Sequence, residues 1–214
     1  MKQNSNNFPV HDWQVKSTPL NNSGTQSSEL CVYCGMCCSG IIFSHVSISD
    51  NAYKRLDNPD TIVVDGTHKM QFPCQYLDNC SCTIYGDRPK KCGSFICKLL
   101  DNLIDGDMNI EQTKKIVDLT KEQTTWLLKN LGTILNKEIN YETVSLRNSL
   151  YEVYSLLSNR FKQTQNPSFT DLEYQFCLNA LDFFKGMKRY FNDPSMLKKY
   201  NNLASKMSST NELL

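Results

Sequence analysis

The sequence lacks a long apolar run, an excess of either charge and a secretory signal. None of its 214 residues lies in a segment approaching the ~20 apolar residues that cross a bilayer. The 23 Lys and Arg residues balance 22 Asp and Glu residues, so the composition implies no basic face for nucleic acid or an anionic membrane. The polar first thirty residues contain no apolar stretch of a signal peptide. We therefore expect a cytoplasmic protein with neither nucleic acid nor a membrane as partner.

Familiar catalytic motifs are missing as well. There is no arrangement typical of a Ser/His/Asp triad, no phosphate-binding loop and no zinc-protease helix motif. Histidine is scarce: His11, His45 and His68 are the only three. His45 and His68 lie between the cysteine clusters and could bind a metal, although a lone histidine more often belongs to the surface or the core.

Cysteine is the residue that this chain has in excess. Nine of the ten cysteines lie between Cys31 and Cys97, and only Cys177 lies outside. Such density indicates either disulfides or metal. Thiols stay reduced in the cytosol, where clustered cysteines usually hold metal, so we favour metal; disulfides remain the alternative for a protein exported by an unrecognised route.

The first cysteine cluster reads Cys31-Val-Tyr-Cys34-Gly-Met-Cys37-Cys38. Two-residue gaps let sulfurs turn toward one ion, and the glycine permits the tight bend. Adjacent side chains in extended backbone point to opposite sides, so Cys37 and Cys38 serve two ions, or one polynuclear cluster, more naturally than one ion.

The second cluster supplies five further cysteines, at positions 74, 80, 82, 92 and 97. The total exceeds the four thiolates that one tetrahedral zinc ion takes, which indicates more than one metal or a mixture of a cluster and a single ion. The alternative is one structural zinc held by four cysteines, with the other cysteines buried as small apolar residues.

At these positions the sequence resembles the CxxCxxCC cysteine-cluster family, the YkgJ-type zinc- or iron-chelating domains. The resemblance rests on the first cluster, on Cys74, and on the segment Cys82-x-Ile84-Tyr85-x-x-Arg88-Pro89-x-x-Cys92. Cys80 falls outside the family pattern, and Gly93 stands where the family often has arginine. The resemblance implies metal ligation by Cys31, Cys34, Cys37, Cys38, Cys74, Cys82, Cys92 and Cys97.

The resemblance implies little about activity. One branch of the family is similar to flagellin lysine N-methylases, but this chain is shorter and lacks their expected glycine-rich strand-to-helix loop, so an enzymatic role rests on analogy alone. Ligand number and the vicinal pair favour an iron–sulfur cluster or multi-iron site that supports redox chemistry or protein modification. The alternatives are a structural zinc module that presents a helical domain to a protein partner, and metal storage.

Arg88 has two interpretations within the motif. Its guanidinium could orient the site or offset the charge of the thiolates, because unneutralised thiolates attract hydrogen bonds. The alternative is that Arg88 and Pro89 only shape a turn while Ile84 and Tyr85 pack.

Three segments follow from composition: a disordered tail at residues 1–30, a cysteine-cluster module at 31–98 and a helical domain at 99–214. We expect an α+β fold, in which a small irregular module nucleated by metal packs against a bundle of about four helices.

Short elements are predicted inside the cysteine module. Residues 41–46 and 61–64 have the apolar and β-branched composition of strands, and between them Ser49 or Asp50 could cap a helix that ends at Leu56. In the helical domain, apolar spacing predicts helices over residues 116–135 and 146–161. A capping box of Thr170 and Glu173 predicts the start of another, and Asp193-Pro194 predicts the start of the last.

Overall fold

The computed structural model describes residues 24–56, 59–78, 80–140, 144–164 and 167–211. Most of the predicted tail, including His11, lies outside these residues. Residue contacts divide the described chain into two compact units. The cysteine unit comprises the described residues up to 115 together with 140 and 144–148, and the helical unit comprises 116–139 and the described residues from 149 onward.

The cysteine unit carries the five strands that the described residues form. Strands β1 (His45–Ile48), β2 (Thr61–Val64) and β3 (Thr67–Gln71) form an antiparallel sheet in the order β1-β3-β2. Strands β4 (Leu77–Asp78) and β5 (Ser81–Cys82) form a separate two-stranded pair. The four helices that lie wholly within this unit are short: α1 (Gly24–Cys34), α2 (Asp50–Arg55), α3 (Lys90–Ser94) and α4 (Lys98–Ile104).

The apolar core of the three-stranded sheet is small. It is formed by five buried side chains, namely Ile48, Ala52, Leu56, Met70 and Phe72. Cys74 and Cys92 are among the partly buried side chains that pack against this core. The second cysteine cluster is therefore continuous with the packing of the sheet.

The predicted helix after the first strand is confirmed in detail. The side chain of Ser49 accepts a hydrogen bond from the Ala52 N–H at 3.3 Å and caps α2, which runs to Arg55 with Leu56 as its C-cap. The predicted strand at residues 61–64 is also confirmed, as β2, and a turn at Asp65-Gly66 leads it into β3.

The strand predicted at residues 41–46 is wrong at its beginning. The N–H groups of Ile41 and Ile42 both donate to the carbonyl of Met36 at 3.2 Å, so this segment is a turn that folds back onto the cysteine motif. Ile42 is buried there, which explains its apolar character without a strand. The strand itself begins only at His45.

Four long helices dominate the rest of the chain: α5 (Ile110–Leu135), α6 (Leu146–Gln163), α7 (Asp171–Phe191) and α8 (Leu197–Asn211). Their buried aromatic and aliphatic side chains include Phe176, Phe183, Phe184 and Tyr200. The α+β class and the four C-terminal helices are thus confirmed. Among the described residues, no helix combines the length and apolarity required to cross a membrane.

The ends of these helices test the predicted caps. Thr170 and Glu173 form the predicted capping box at the start of α7, each side chain bonding the other residue's N–H. The predicted start at Asp193-Pro194 is too early, because Asp193 accepts from the Ser195 N–H in a turn and α8 begins at Leu197.

Candidate metal centre

The first cysteine motif lies where α1 ends. Cys31 and Cys34 occupy the last turn of the helix, and Gly35 follows with φ of 64°, a conformation that favours glycine. The Gly35 N–H donates to the Cys31 carbonyl at 3.0 Å, and the Cys38 N–H donates to the Gly35 carbonyl at 3.1 Å. The chain therefore reverses immediately after Cys34, and Cys37 and Cys38 lie in the turn that follows.

A direct backbone contact joins this turn to the second cluster. The Cys74 N–H donates to the Cys38 carbonyl at 2.8 Å. Gly40 lies beside the same segment, where a Cβ atom would stand 3.3 Å from the backbone of Phe72 and Pro73. The two chain segments approach this closely because Gly40 has no side chain, and the approach places Cys38 next to Cys74.

The β4–β5 pair brings Cys82 close to Cys74. The Leu77 N–H donates to the Cys74 carbonyl at 3.0 Å, and Leu77 pairs with Cys82 across the two strands. Cys92 arrives from α3 and, like Cys74, packs against the core of the sheet. We call Cys38, Cys74, Cys82 and Cys92 the sheet-side set.

Electrostatics confirm that the sheet-side thiols are neighbours. Burial is the largest cause that raises the pKa of Cys38 from 9.0 to about 12, and the charges of Cys74, Cys92 and Cys82, together with that of Cys31, add to the rise. Burial and the charges of Cys74 and Cys82 raise the pKa of Cys92 to about 11. Burial also raises the pKa of Cys74, and the charge of Cys82 adds to it. Every pair within this set therefore interacts.

The remaining motif cysteines gather at the ends of two helices. Cys97 is the N-cap of α4, where its sulfur accepts a hydrogen bond from the Leu100 N–H at 3.4 Å. Helix α4 packs against α1, whose last turn carries Cys31 and Cys34. We call Cys31, Cys34, Cys37 and Cys97 the helix-end set.

Cys37 is the centre of the helix-end set. Burial raises its pKa well above 9.0, and the charges of Cys34 and Cys97, then of Cys38 and Cys31, add to the rise. Burial also raises the pKa of Cys97. The hydrogen bond from the Leu100 N–H lowers this pKa, and the charge of Cys31 raises it. The vicinal cysteines thus differ in the thiol charges that raise their pKa values most: Cys34 and Cys97 for Cys37, and Cys74 and Cys92 for Cys38.

Arg88 supplies a positive charge to both sets. Its guanidinium lies 3.9 Å from the centre of the Tyr85 ring and beside Gly93, where a Cβ atom would stand 3.2 Å from the Arg88 Nε. Burial raises the pKa of Cys31 and of Cys92, and the charge of Arg88 opposes the rise in each. The charge of Arg88 therefore acts on a thiol of each set, and Gly93 leaves the space that the guanidinium occupies.

Cys80 is a neighbour of the first motif that the family pattern does not include. Its sulfur would lie 3.1 Å from a Cβ atom on Gly35, and its own backbone has φ of 66°. The only sequence signal for this placement is the glycine, since no spacing rule connects the two positions.

The other candidates have contacts or burial of their own. His68 stacks on Tyr53 with ring centres 3.9 Å apart, and its Nε2 is 3.9 Å from the Asp50 carboxylate. His45 is exposed and its Nδ1 lies 3.0 Å from the Ser44 hydroxyl. Cys177 belongs to α7 of the helical unit, where it is fully buried.

The donor set fits a metal that prefers thiolates. All ten cysteines are free of disulfides, and nine of them belong to the cysteine unit. Within the described part of the chain, no three His, Cys, Asp or Glu side chains already stand in an arrangement that could hold a metal ion. The thiols are gathered, but their sulfurs have not converged on a common point.

Comparison with known families agrees with this chemistry. Residues 30–127 match the model of the CxxCxxCC family, whose description is "Putative zinc- or iron-chelating domain". This segment is similar to a CxxCxxCC domain. It contains both thiol sets, Cys80 and Arg88, and it extends through α4 into α5. No curated protein and no solved structure matches the chain.

Proposed function

We propose that this protein binds iron or zinc through the thiolates of its CxxCxxCC domain, with Cys31, Cys34, Cys37, Cys38, Cys74, Cys82, Cys92 and Cys97 as ligands. The observation that carries the proposal is the gathering of these eight thiols, from six separate elements, turns and connecting segments, into two groups within one unit. Cysteine sulfur is a soft ligand that selects zinc, copper(I) or iron–sulfur centres over magnesium or calcium.

The raised thiol pKa values support a coupling between metal binding and deprotonation of these thiols. Without a cation the buried sulfurs are held as neutral thiols, since burial and neighbouring charges disfavour thiolates. A bound cation stabilises the thiolates and so releases their protons. Metal binding is then coupled to the folding of the sheet of the cysteine unit, whose apolar core has five buried side chains.

Between the two metals we propose iron, as an iron–sulfur or multi-iron centre, on the number of thiolates and the vicinal pair. Such a centre supports redox chemistry or the modification of another protein. Structural zinc is the second candidate, and the packing of Cys74 and Cys92 against the sheet core favours it for the sheet-side set.

Elemental analysis and a visible absorption spectrum of full-length protein purified without oxygen test the proposal. Iron with broad sulfur-to-iron charge-transfer absorption supports the iron centre. Colourless protein with stoichiometric zinc supports structural zinc instead of the iron centre. Protein that contains neither metal, and that takes up neither when supplied, contradicts metal binding altogether.

A further inference from the structure

The two thiol sets differ in their surroundings as well as in their membership. The sheet-side set shares the packing of a buried apolar core through Cys74 and Cys92. The helix-end set lies where α1 ends and α4 begins, and its Cys31 is exposed. Val32 and Ile96, the chain neighbours of Cys31 and Cys97, are exposed by 45% and 50%.

The backbone separates the two members of the vicinal pair. The carbonyl of Cys38 accepts the Cys74 N–H, which ties Cys38 to the segment that leads into β4. Cys37 precedes this tie and follows α1, whose last turn carries Cys31 and Cys34. Helix α4, which Cys97 caps, packs against α1, so the fold groups Cys97 with the cysteines that precede Cys38. Leu77, whose N–H donates to the Cys74 carbonyl, pairs with Cys82 across β4 and β5.

We infer that the CxxCxxCC domain holds two separate four-thiolate metal centres, divided between Cys37 and Cys38. The sheet-side centre is formed by Cys38, Cys74, Cys82 and Cys92, and the helix-end centre by Cys31, Cys34, Cys37 and Cys97. Each has the four sulfur ligands that close a tetrahedral site or hold one iron–sulfur cluster.

The sheet-side centre is structural, because its ligands Cys74 and Cys92 belong to the packing of the sheet. This inference rests on the proposed metal binding, but it makes a claim about number and grouping that metal binding alone does not.

Anaerobic titration of the full-length, metal-depleted protein with Co²⁺ tests the division without any substitution. Thiolate-to-cobalt absorption should saturate at two equivalents. The paramagnetic resonance intensity per cobalt ion should stay constant from the first equivalent to the second, since separate ions share no bridging sulfur. Saturation at another ratio, or a loss of intensity as the second ion binds, overturns the two-centre inference.

Matched substitutions test which cysteines belong together. Cys34→Ser and Cys82→Ser should each leave one cobalt equivalent. A double variant within one set, Cys34→Ser with Cys97→Ser, should also leave one cobalt equivalent. A double variant across the sets, Cys34→Ser with Cys92→Ser, should leave no cobalt bound. If the within-set pair removes both equivalents while the variant remains folded by circular dichroism, the grouping is wrong. Wild-type protein that takes up no cobalt, iron or zinc contradicts the proposed function itself.

Discussion

At the scale of single residues, Arg88 is the charge that the two thiol sets have in common. It lies against Gly93 and over the exposed ring of Tyr85, and it opposes the rise in thiol pKa at Cys31 and at Cys92. A neighbouring cation stabilises thiolates, and residues around the ligands commonly change metal affinity by 10–100-fold.

Arg88→Gln should weaken metal binding at both sets, by about tenfold at neutral pH. The loss of the positive charge leaves Cys31 and Cys92 harder to deprotonate, so protons compete better with the metal. Competition with a chromophoric chelator measures the affinities. Arg189→Gln is the matched control, because it removes an equal charge from an exposed position of α7 in the helical unit. Equal losses in both variants would show that net charge alone, rather than the position of Arg88, matters.

Cys177 gives the control for ligand identity. It is fully buried in α7, and burial alone raises its pKa to about 12. Cys177→Ser should leave metal content unchanged while lowering stability, because serine buries a hydroxyl group in an apolar site. Cys92→Ser should lower metal content. Equal metal loss in the two variants, measured by elemental analysis, would contradict the ligand assignment.

At the scale of elements, the start of α7 shows a cap and an ion pair that depend on one carboxylate. Glu173 accepts the Thr170 N–H at 2.9 Å and pairs with the Arg160 guanidinium at 2.6 Å. Burial opposes ionisation of Glu173, but the hydrogen bonds from Arg160 and Thr170 prevail and hold its pKa below 4.5. Its contribution to stability is therefore present above pH 4.5 and is lost as the pH falls through the lowered pKa.

Thr170→Ala should destabilise the helical unit by about 1 kcal/mol, because the cap on the Glu173 N–H is lost. Denaturant unfolding followed by circular dichroism measures the change. Thr125→Ala, which removes an exposed threonine in the interior of α5, should change stability by less than about 0.5 kcal/mol. A Thr170→Ala effect no larger than that of the control would mean that the cap contributes little.

Glu173→Gln should be destabilising at neutral pH, and the difference from wild type should shrink well below pH 4.5. The wild-type carboxylate is protonated there, so both proteins carry a neutral side chain at this position. Unfolding free energies at the two pH values measure the difference. A difference that is independent of pH would show that shape rather than charge accounts for the effect.

The elements also show where sequence patterns are sufficient. The capping box at Thr170 and the cap at Ser49 depend on residues three apart, and both were predictable. The reciprocal bonds of Asn109 and Gln112 at the start of α5 follow the same spacing, yet apolar periodicity placed this helix six residues too late. Strand β3 was missed because Thr67-His-Lys-Met-Gln has little β-branched character, and its pairing with both neighbours decides its conformation.

The sequence names the candidate cysteines but does not show which of them are neighbours in the fold. Spacing and family resemblance name the cysteines, and the vicinal pair indicates more than one metal. The assignment of each thiol to a set depends on contacts between distant segments, such as the bond from the Cys74 N–H to the Cys38 carbonyl. The place of Cys80 beside Gly35 is a tertiary contact of the same kind.

At the scale of the whole molecule, metal should stabilise the sheet of the cysteine unit most. That sheet rests on five buried side chains, whereas the helical unit buries many large residues along α5 to α8. Metal should therefore contribute a larger share of stability to the sheet than to the helical unit.

Removal of metal with a chelator under reducing conditions should speed hydrogen exchange at the amides of residues 38–56, 59–78 and 80–92. The amides of residues 149–164 and 167–211 should remain protected from exchange. Hydrogen exchange followed by mass spectrometry measures both in one sample, with the metal-loaded protein as control. A uniform loss of protection in both units, or none in either, would contradict a metal-dependent cysteine unit.

The most direct test of the central claim is X-ray absorption at the zinc and iron edges of full-length protein purified without oxygen. All-thiolate centres predict a nearest shell of sulfur alone at about 2.3 Å. Nitrogen or oxygen atoms as the main neighbours, or protein with no metal to measure, would contradict the account of this domain as a pair of cysteine-built metal centres.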